Sequence, residues 1–235
     1  MEKETELTRE LKELLRAEGA DLAGVGDLTE VPENMRHGLS VGISVAVKYP
    51  KEIIRGISEL PTQEYRNWYG SLNEQLDRIV TAGADFLTKK GYQAIAKTRR
   101  QVGSYDEDCI TELPHKTVAT RAGLGWIGKC ALLVTERYGS MVRISSILTD
   151  APLTAAKPIN QSNCGGCTAC RDACPAQAIY GKLWDISVPR EELFDIRKCR
   201  PTARLRSEKG FGKCEELCGR CIEICPYTRK YLNEK

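Results

Sequence analysis

The chain has 235 residues, of which 41% are hydrophobic and 29% are charged, and its formal net charge is +3. This length and apolar content are sufficient for one medium domain and a second, smaller one. Residues 1–18 are charged throughout and contain no apolar segment typical of a secretory signal, and no later stretch reaches the length of a membrane span. The composition therefore predicts a cytoplasmic protein that does not engage a membrane.

The N-terminal half of the sequence predicts alternating helices and strands. Four leucines between residues 7 and 15 recur at helical spacing, and a short apolar strand pattern begins at residue 22. Alternating apolar side chains over 39–47 predict a second strand. The longest helix is predicted over 63–90, where one stripe of apolar and aromatic side chains is typical of a core helix rather than of an aromatic cofactor wall.

Shorter strands and a linker complete the predicted organisation. Residues 93–96 predict a strand, and residues 131–135 and 141–148 predict the two strands of a hairpin. Two prolines mark residues 151–160 as a linker. We therefore predict an α+β protein, with an α/β domain over 1–150 and a small cysteine-rich domain over 161–235.

Two cysteine runs near the C-terminus repeat the pattern C-x-x-C-x-x-x-C-P, which holds 4Fe-4S clusters in two-cluster ferredoxins. Three thiolates from one short loop reach three corners of a cubane, and the fourth ligand comes from the opposite repeat. The first cluster is therefore predicted to use the four thiolates of Cys164, Cys167, Cys170 and Cys225.

Clustered cysteines have two other common uses, structural zinc binding and disulfide formation. Structural zinc favours a single set of four ligands, and a disulfide framework needs an oxidising compartment. The doubled C-P endings favour two clusters over both alternatives. Ligated clusters would add about −4 to the charge, so the net charge of the chain is poor evidence for nucleic-acid binding.

A glycine run, Gly123-Leu-Gly125-Trp-Ile-Gly128, matches the spacing of a dinucleotide-binding loop. It follows a helix-like segment instead of a strand, so a nicotinamide site is not expected there. Two interpretations stay open: a turn that lets the backbone approach a flat cofactor, and a helix C-cap followed by a buried Trp126.

Three motifs together resemble those of epoxyqueuosine reductases, cobalamin-dependent iron-sulfur enzymes related to reductive dehalogenases. They are the run K-x-x-A-x-x-A-G-L-G-W-x-G-K from Lys116 to Lys129, the run Leu148-Thr-Asp-Ala-Pro-Leu153, and the doubled cluster motif. The resemblance covers residues 20–228. It implies a cobalamin-binding-like N-terminal domain followed by a ferredoxin-like domain, with cobalamin held near Gly123, Leu124, Gly125, Trp126, Gly128 and Lys129.

The resemblance also implies a ligand for the second cluster. Family members carry one in a short helix between the two motifs, at the position of Cys199, whereas a ferredoxin pattern would use Cys214. The family match therefore assigns the second cluster to Cys174, Cys199, Cys218 and Cys221.

By the same resemblance, electrons from a low-potential donor such as a flavodoxin or ferredoxin pass through both clusters to cobalamin, which reduces a modified nucleoside or another small electrophile. A departing oxygen requires an acid, for which Asp108, near the family's acidic position, and His115 are candidates. Cys109 and Cys130 receive no role, although Cys130 stands where the family usually has a polar residue such as Asn or Ser.

Two partner questions and one alternative function stay open. The family includes tRNA as a partner through helical repeats that follow the clusters, and this chain ends at Lys235. Seven basic residues over 197–213 fit an RNA face, a docking face for an acidic electron donor, or a solvated loop. The alternative function is a ferredoxin-like electron carrier without cobalamin chemistry.

Overall fold

The computed structural model describes residues 4–102 and 111–234. The strands within these residues are β1 (Leu22–Asp27), β2 (Val41–Lys48), β3 (Ala94–Ala96), β4 (Trp126–Ile127), β5 (Leu133–Val134) and β6 (Val142–Thr149). The α-helices are α1 (Glu6–Ala17), α2 (Lys51–Arg55), α3 (Gln63–Lys89), α4 (Arg99–Val102), α5 (His115–Arg121), α6 (Ala169–Asp172), α7 (Ile196–Phe211), α8 (Arg220–Glu223) and α9 (Pro226–Asn233). A 3-10 helix covers Arg190–Glu192.

The chain folds into two compact units that alternate along the sequence. Unit 1 contains Met1–Val47, Leu72–Gly125 and Arg143–Ile159. Unit 2 contains Lys48–Ser71, Trp126–Val142 and Asn160–Lys235. The predicted domains over 1–150 and 161–235 are continuous in sequence, so the observed division differs from the predicted one.

The predicted linker over 151–160 is bonded into unit 1 for most of its length. The backbone N–H of Ala156 donates to the carbonyl of Val25 at 2.8 Å, and that of Ile159 donates to Thr120 at 2.9 Å. Prolines interrupt regular structure but leave neighbouring N–H groups free to pair, which is why a proline-marked segment need not be loose.

Unit 1 is built on a four-stranded sheet with the order β1-β2-β6-β3. The outer pairs are antiparallel, with Val25 opposite Ile43 and Ile95 opposite Leu148. Antiparallel pairing together with separate helices confirms the predicted α+β class. The long helix predicted over 63–90 is observed as α3, and strands are observed at three predicted places, as β1, β2 and β3.

The predicted hairpin is wrong in its strand partners. Strand β5 pairs with β4, with Leu133 opposite Ile127, while β6 lies between β2 and β3 in the larger sheet. A tight turn does close between Thr135 and Gly139, as expected for the intervening segment. Alternating apolar residues specify a strand with a buried face but do not specify its neighbour, and β6 gains more burial between two strands than at the edge of a hairpin.

None of the helices in residues 4–102 or 111–234 combines the length and the apolar content that a bilayer crossing requires.

Candidate cluster-binding site

A cavity of about 140 Å³ opens within unit 2, and cysteine side chains form much of its wall. All four ligands predicted for the first cluster line it, together with Cys130 and Cys221. Thiolates are the ligands that iron-sulfur clusters require, so these residues fit the predicted group. The remaining lining residues are Gly128, Lys129, Val134, Asn163, Pro226 and Tyr227.

The two cysteine motifs reach the site through short helices. Cys170 lies in the single turn of α6, and Cys221 lies in the single turn of α8. Cys225 caps α9, whose first residue is Pro226. A proline at the first helical position loses no hydrogen bond, because the N–H it lacks would have no partner within the helix. The C-P ending therefore turns the chain into α9 directly after the last ligand.

Cys225 is placed where the amides of α9 face its sulfur. Burial raises the pKa of the Cys225 thiol, and the backbone N–H groups of Thr228 and Tyr227 oppose that rise by hydrogen bonding to the sulfur. A coordinated metal deprotonates a thiol, and the same amides would then stabilise the bound thiolate.

Cys199 lies in the first turn of α7 and interacts electrostatically with Cys174 and Cys218. Burial, with these two sulfurs adding to its effect, raises the pKa of the Cys199 thiol to about 11. Cys214, in contrast, is exposed. This arrangement favours Cys199 over Cys214 as the fourth ligand of the second cluster, and the assignment stays a prediction.

Lys129, predicted to contact cobalamin, holds the loop of the first cluster. Its side chain is 6% exposed, and its Nζ donates a hydrogen bond to the carbonyl oxygen of Cys167 at 2.8 Å. This contact links the turn after β4 to Cys167, which lies 38 residues later in unit 2. No sequence pattern signals such a contact, because Lys129 lies outside the cluster spacing and the acceptor is a backbone carbonyl.

We expect Lys129→Met to release iron from the first cluster several times faster than the unsubstituted protein. Methionine keeps the apolar stem of the side chain but cannot donate a hydrogen bond to the Cys167 carbonyl. Loss of this hydrogen bond leaves the cluster loop less restrained. Iron transferred to a chelator over time measures the effect. The exposed Lys198→Met is the matched control, and equal release rates in the two variants would contradict the role of Lys129.

The glycine run begins with a helix C-cap. Gly123 follows α5 with a φ of 69°, and the N–H groups of Gly123 and Leu124 donate to the carbonyls of Thr120 and Ala119 at 3.2 and 3.0 Å. This pair of bonds is a Schellman motif, which ends a helix. Of the two interpretations left open by the sequence, the C-cap is observed at Gly123.

The rest of the run is buried among the protein's own residues. A Cβ on Gly123 would lie 3.0 Å from the carbonyl oxygen of Lys157, and a Cβ on Gly128 would lie 2.7 Å from Val134. Trp126 is 3% exposed and packs edge-on against Tyr227, with ring centroids 4.9 Å apart. Gly123 and Leu124 retain partial exposure, while 125–129 are buried. Cofactor binding by this run stays a prediction, with Leu124 and the Gly123 backbone as its accessible part.

His115 begins α5 directly after Pro114, and its Nδ1 lies 2.8 Å from the hydroxyl oxygen of Ser146 in unit 1. Burial lowers the pKa of His115 to about 4, and the charges of Arg143 and Lys97 lower it further in the same direction. At neutral pH the ring is therefore a neutral hydrogen-bonding group. Its role as an acid stays a prediction, and Asp108 and Cys109 lie outside the described residues.

We expect the protein to lose stability as the pH falls from 7 to 5, in part through His115. Its folded pKa of about 4 lies below the usual value of 6.5, so between these values the unfolded chain binds a proton that the folded protein does not. This difference removes about 2 kcal/mol of unfolding free energy by pH 5. Urea unfolding at both pH values measures it.

A His115→Gln variant serves as the comparison for this pH dependence. Glutamine does not titrate, so the variant should lose less stability than the unsubstituted protein over the same interval. An equal loss in both proteins would show that His115 is not the group responsible.

The basic residues of α7 are partly used within unit 2. The guanidinium groups of Arg200 and Arg204 contact the carboxylate of Glu216 at 2.6 and 2.7 Å, and Arg206 donates to the carbonyl of Glu59. Lys198 and Lys209 lie on the exposed surface of the same helix. The segment therefore supplies internal ion pairs as well as surface charge.

Comparison with known families identifies the cysteine-rich segment. Residues 163–228 match the family model of the 4Fe-4S double cluster binding domain. This match confirms the prediction of two 4Fe-4S clusters.

The sequence is also similar to epoxyqueuosine reductases. The Bacillus cereus enzyme is 35% identical over 129 residues, covering 50% of this chain and 30% of the relative. The Lactococcus garvieae enzyme is 31% identical over 198 residues, covering 80% of this chain and 51% of the relative. The Vibrio cholerae enzyme is 28% identical over 218 residues, covering 88% of this chain and 55% of the relative. The chain thus spans less than two thirds of the length of these relatives.

Two solved structures share the fold. A reductive dehalogenase described in terms of B12-dependent dehalogenation superimposes with a TM-score of 0.74 and 20% identity, over 93% of this chain and 31% of its own. An epoxyqueuosine reductase solved with a tRNA-Tyr stem loop gives a TM-score of 0.63 and 21% identity, over 95% of this chain and 66% of its own. These likenesses and the sequence similarities confirm the predicted resemblance.

Proposed function

We propose that this epoxyqueuosine reductase-like protein is an iron-sulfur reductase that passes electrons through two 4Fe-4S clusters to a cobalamin, which reduces a modified nucleoside or another small electrophile. The cysteine-lined cavity of unit 2 carries the proposal, because it collects thiols from both motifs around one space. The similarity to reductases along most of the chain supports the step from electron carriage to reduction.

The residues of unit 2 would bind and tune the clusters. Thiolates of Cys164, Cys167, Cys170 and Cys225 would hold the first cluster, and the buried ammonium of Lys129 would fix the loop that presents Cys167. A nearby positive charge and hydrogen bonds to sulfur favour the reduced, more negative form of a cluster. The second cluster would take Cys174, Cys199, Cys218 and Cys221.

Cobalamin is the proposed acceptor on the basis of similarity. When bound, it would supply a low-potential metal centre able to reduce a carbon-oxygen or carbon-halogen bond. Among the predicted contacts, Leu124 and the backbone of Gly123 remain accessible to a large ligand. The neutral His115, bonded to Ser146, would stay fixed as a polar group of unit 1.

The electron donor, the substrate carrier and the cellular location are also part of this proposal. A flavodoxin or ferredoxin is the proposed electron donor, because the clusters require a low-potential source. A modified tRNA is a proposed substrate carrier, in keeping with the tRNA-bound relative. Cytoplasmic location is proposed because none of the ten cysteines in the described residues forms a disulfide, which suits a reducing compartment.

A second candidate function is an electron carrier without cobalamin. It is favoured by one observation: most of the glycine run, over 125–129, is buried among the protein's own residues. An electron carrier would need only the two clusters and a docking face, and no cobalamin site.

Anaerobic reconstitution with iron, sulfide and cobalamin separates the two functions. The reductase should retain corrinoid absorption bands after gel filtration and should reduce an epoxide-bearing nucleoside when a low-potential donor is added. Cluster absorption with no retained corrinoid would overturn the cobalamin proposal and support the carrier. Absence of cluster absorption would overturn both.

A further inference from the structure

Cys130 is a buried cysteine outside both cluster motifs, in the turn between β4 and β5 of unit 2. Its side chain is 8% exposed. Two hydrogen bonds of 2.8 Å hold the turn, from Gly128 N–H to the Leu132 carbonyl and from Ala131 N–H to the Gly128 carbonyl. Ala131 adopts a φ of 58°, a left-handed conformation that costs free energy for a residue with a Cβ. The backbone of the turn at Cys130 is therefore defined by its own hydrogen bonds.

The side chain of Cys130 faces cysteines of both motifs. Cys130, Cys170 and Cys221 line the same cavity, and the thiol of Cys130 interacts with the thiols of the other two. Cys170 belongs to the predicted first cluster and Cys221 to the predicted second. Cys130 thus contacts one ligand of each proposed cluster while belonging to neither set.

We propose that Cys130 is a positioning and tuning residue: its S–H group donates a hydrogen bond to a cluster-bound sulfur of Cys170 or Cys221 and packs between these two ligands. The inference rests on the proposed two-cluster function. Cys130 lies outside both proposed ligand sets, so its one S–H group is available as a donor.

Such a hydrogen bond has a definite electronic effect. Reduction adds negative charge to a cluster, part of which resides on its cysteine sulfurs. A donor at one of these sulfurs stabilises the reduced form and raises the reduction potential of that cluster. Cys130 would therefore create a difference in reduction potential between two clusters whose motifs are otherwise alike. This difference determines which of the two clusters is reduced first.

Three substitutions test the role of the S–H group in the reconstituted full chain. Cys130→Ala removes the donor and leaves a small space, Cys130→Val removes the donor and fills the space, and Cys130→Ser keeps a donor of similar size. Iron per chain and the reduction potentials of both clusters, from a titration followed by electron paramagnetic resonance, are the measurements.

We expect unchanged iron in all three variants. In Cys130→Ala and Cys130→Val, the reduced-to-oxidised ratio of one cluster at a fixed potential should fall about tenfold, which is about 59 mV for a one-electron couple. Cys130→Ser should recover most of that shift.

Several results would overturn the proposal. Loss of about half of the iron in the alanine and valine variants would make Cys130 a ligand. Unchanged potentials in those variants would reduce it to a packing residue, and loss of all iron from the three variants would assign it to cluster assembly. A wild-type protein that takes up no iron would instead refute the proposed function itself.

Discussion

Replacement of Cys199 by alanine is expected to remove about half of the iron bound by the reconstituted protein. The thiol of Cys199 interacts with those of Cys174 and Cys218, and its place in the first turn of α7 gives it a fixed position. A cubane that lacks its fourth thiolate is exposed to solvent at one iron and is lost or degraded. The second cluster should therefore fail while the first remains.

Iron and sulfide analysis, together with the cluster absorption per chain, measure this outcome. Cys214→Ala is the matched control, because Cys214 is exposed and its loss should leave the iron content unchanged. The reverse pattern, with full iron in Cys199→Ala and half in Cys214→Ala, would reassign the ligand to the ferredoxin-like position.

Gly139→Val is expected to cost at least about 3 kcal/mol of unfolding free energy and to prevent stable loading of the first cluster. Gly139 has a φ of 57°, and a Cβ there would overlap the backbone nitrogen and the hydroxyl oxygen of Thr228. The same Thr228 accepts a hydrogen bond from Ser140 N–H at 3.1 Å and donates its own N–H toward Cys225. A side chain at 139 would displace the start of α9 and with it the ligand.

Urea unfolding midpoints and iron retention after gel filtration check this expectation. Gly212→Ala is the matched control: Gly212 also has a left-handed φ, of 73°, but no heavy atom lies within 4 Å of its added Cβ. That variant should lose about 1 kcal/mol and keep its iron. Equal losses in the two variants would show that close approach to Thr228 is unimportant.

The sequence predicted the cluster ligands because a cubane restricts their spacing. Three thiolates on one loop must fall at short fixed intervals, and the pattern is readable without knowledge of the fold. The structure collects Cys164, Cys167, Cys170 and Cys225 around one cavity, and their assignment as ligands stays a prediction.

The supporting residues of that cavity could not be predicted in the same way. Lys129 and Cys130 lie about 35 residues before the first motif, in the turn that joins the paired strands β4 and β5 of unit 2. The sequence pattern instead paired β5 with β6, since alternation of apolar residues specifies which face is buried and leaves the partner strand open. The division into units was missed for the same reason, because distant segments pack together.

The alternation of the two units along the chain bears on how the protein is made. Arg66 pairs with Glu215, and Lys51 donates to the carbonyl of Glu234, so early segments of unit 2 bond to residues 149 and 183 positions later. During synthesis, residues 48–71 leave the ribosome long before these partners exist. Unit 2 therefore closes only after α9 has left the ribosome, and its cysteine-lined cavity is complete for iron insertion only from that point on.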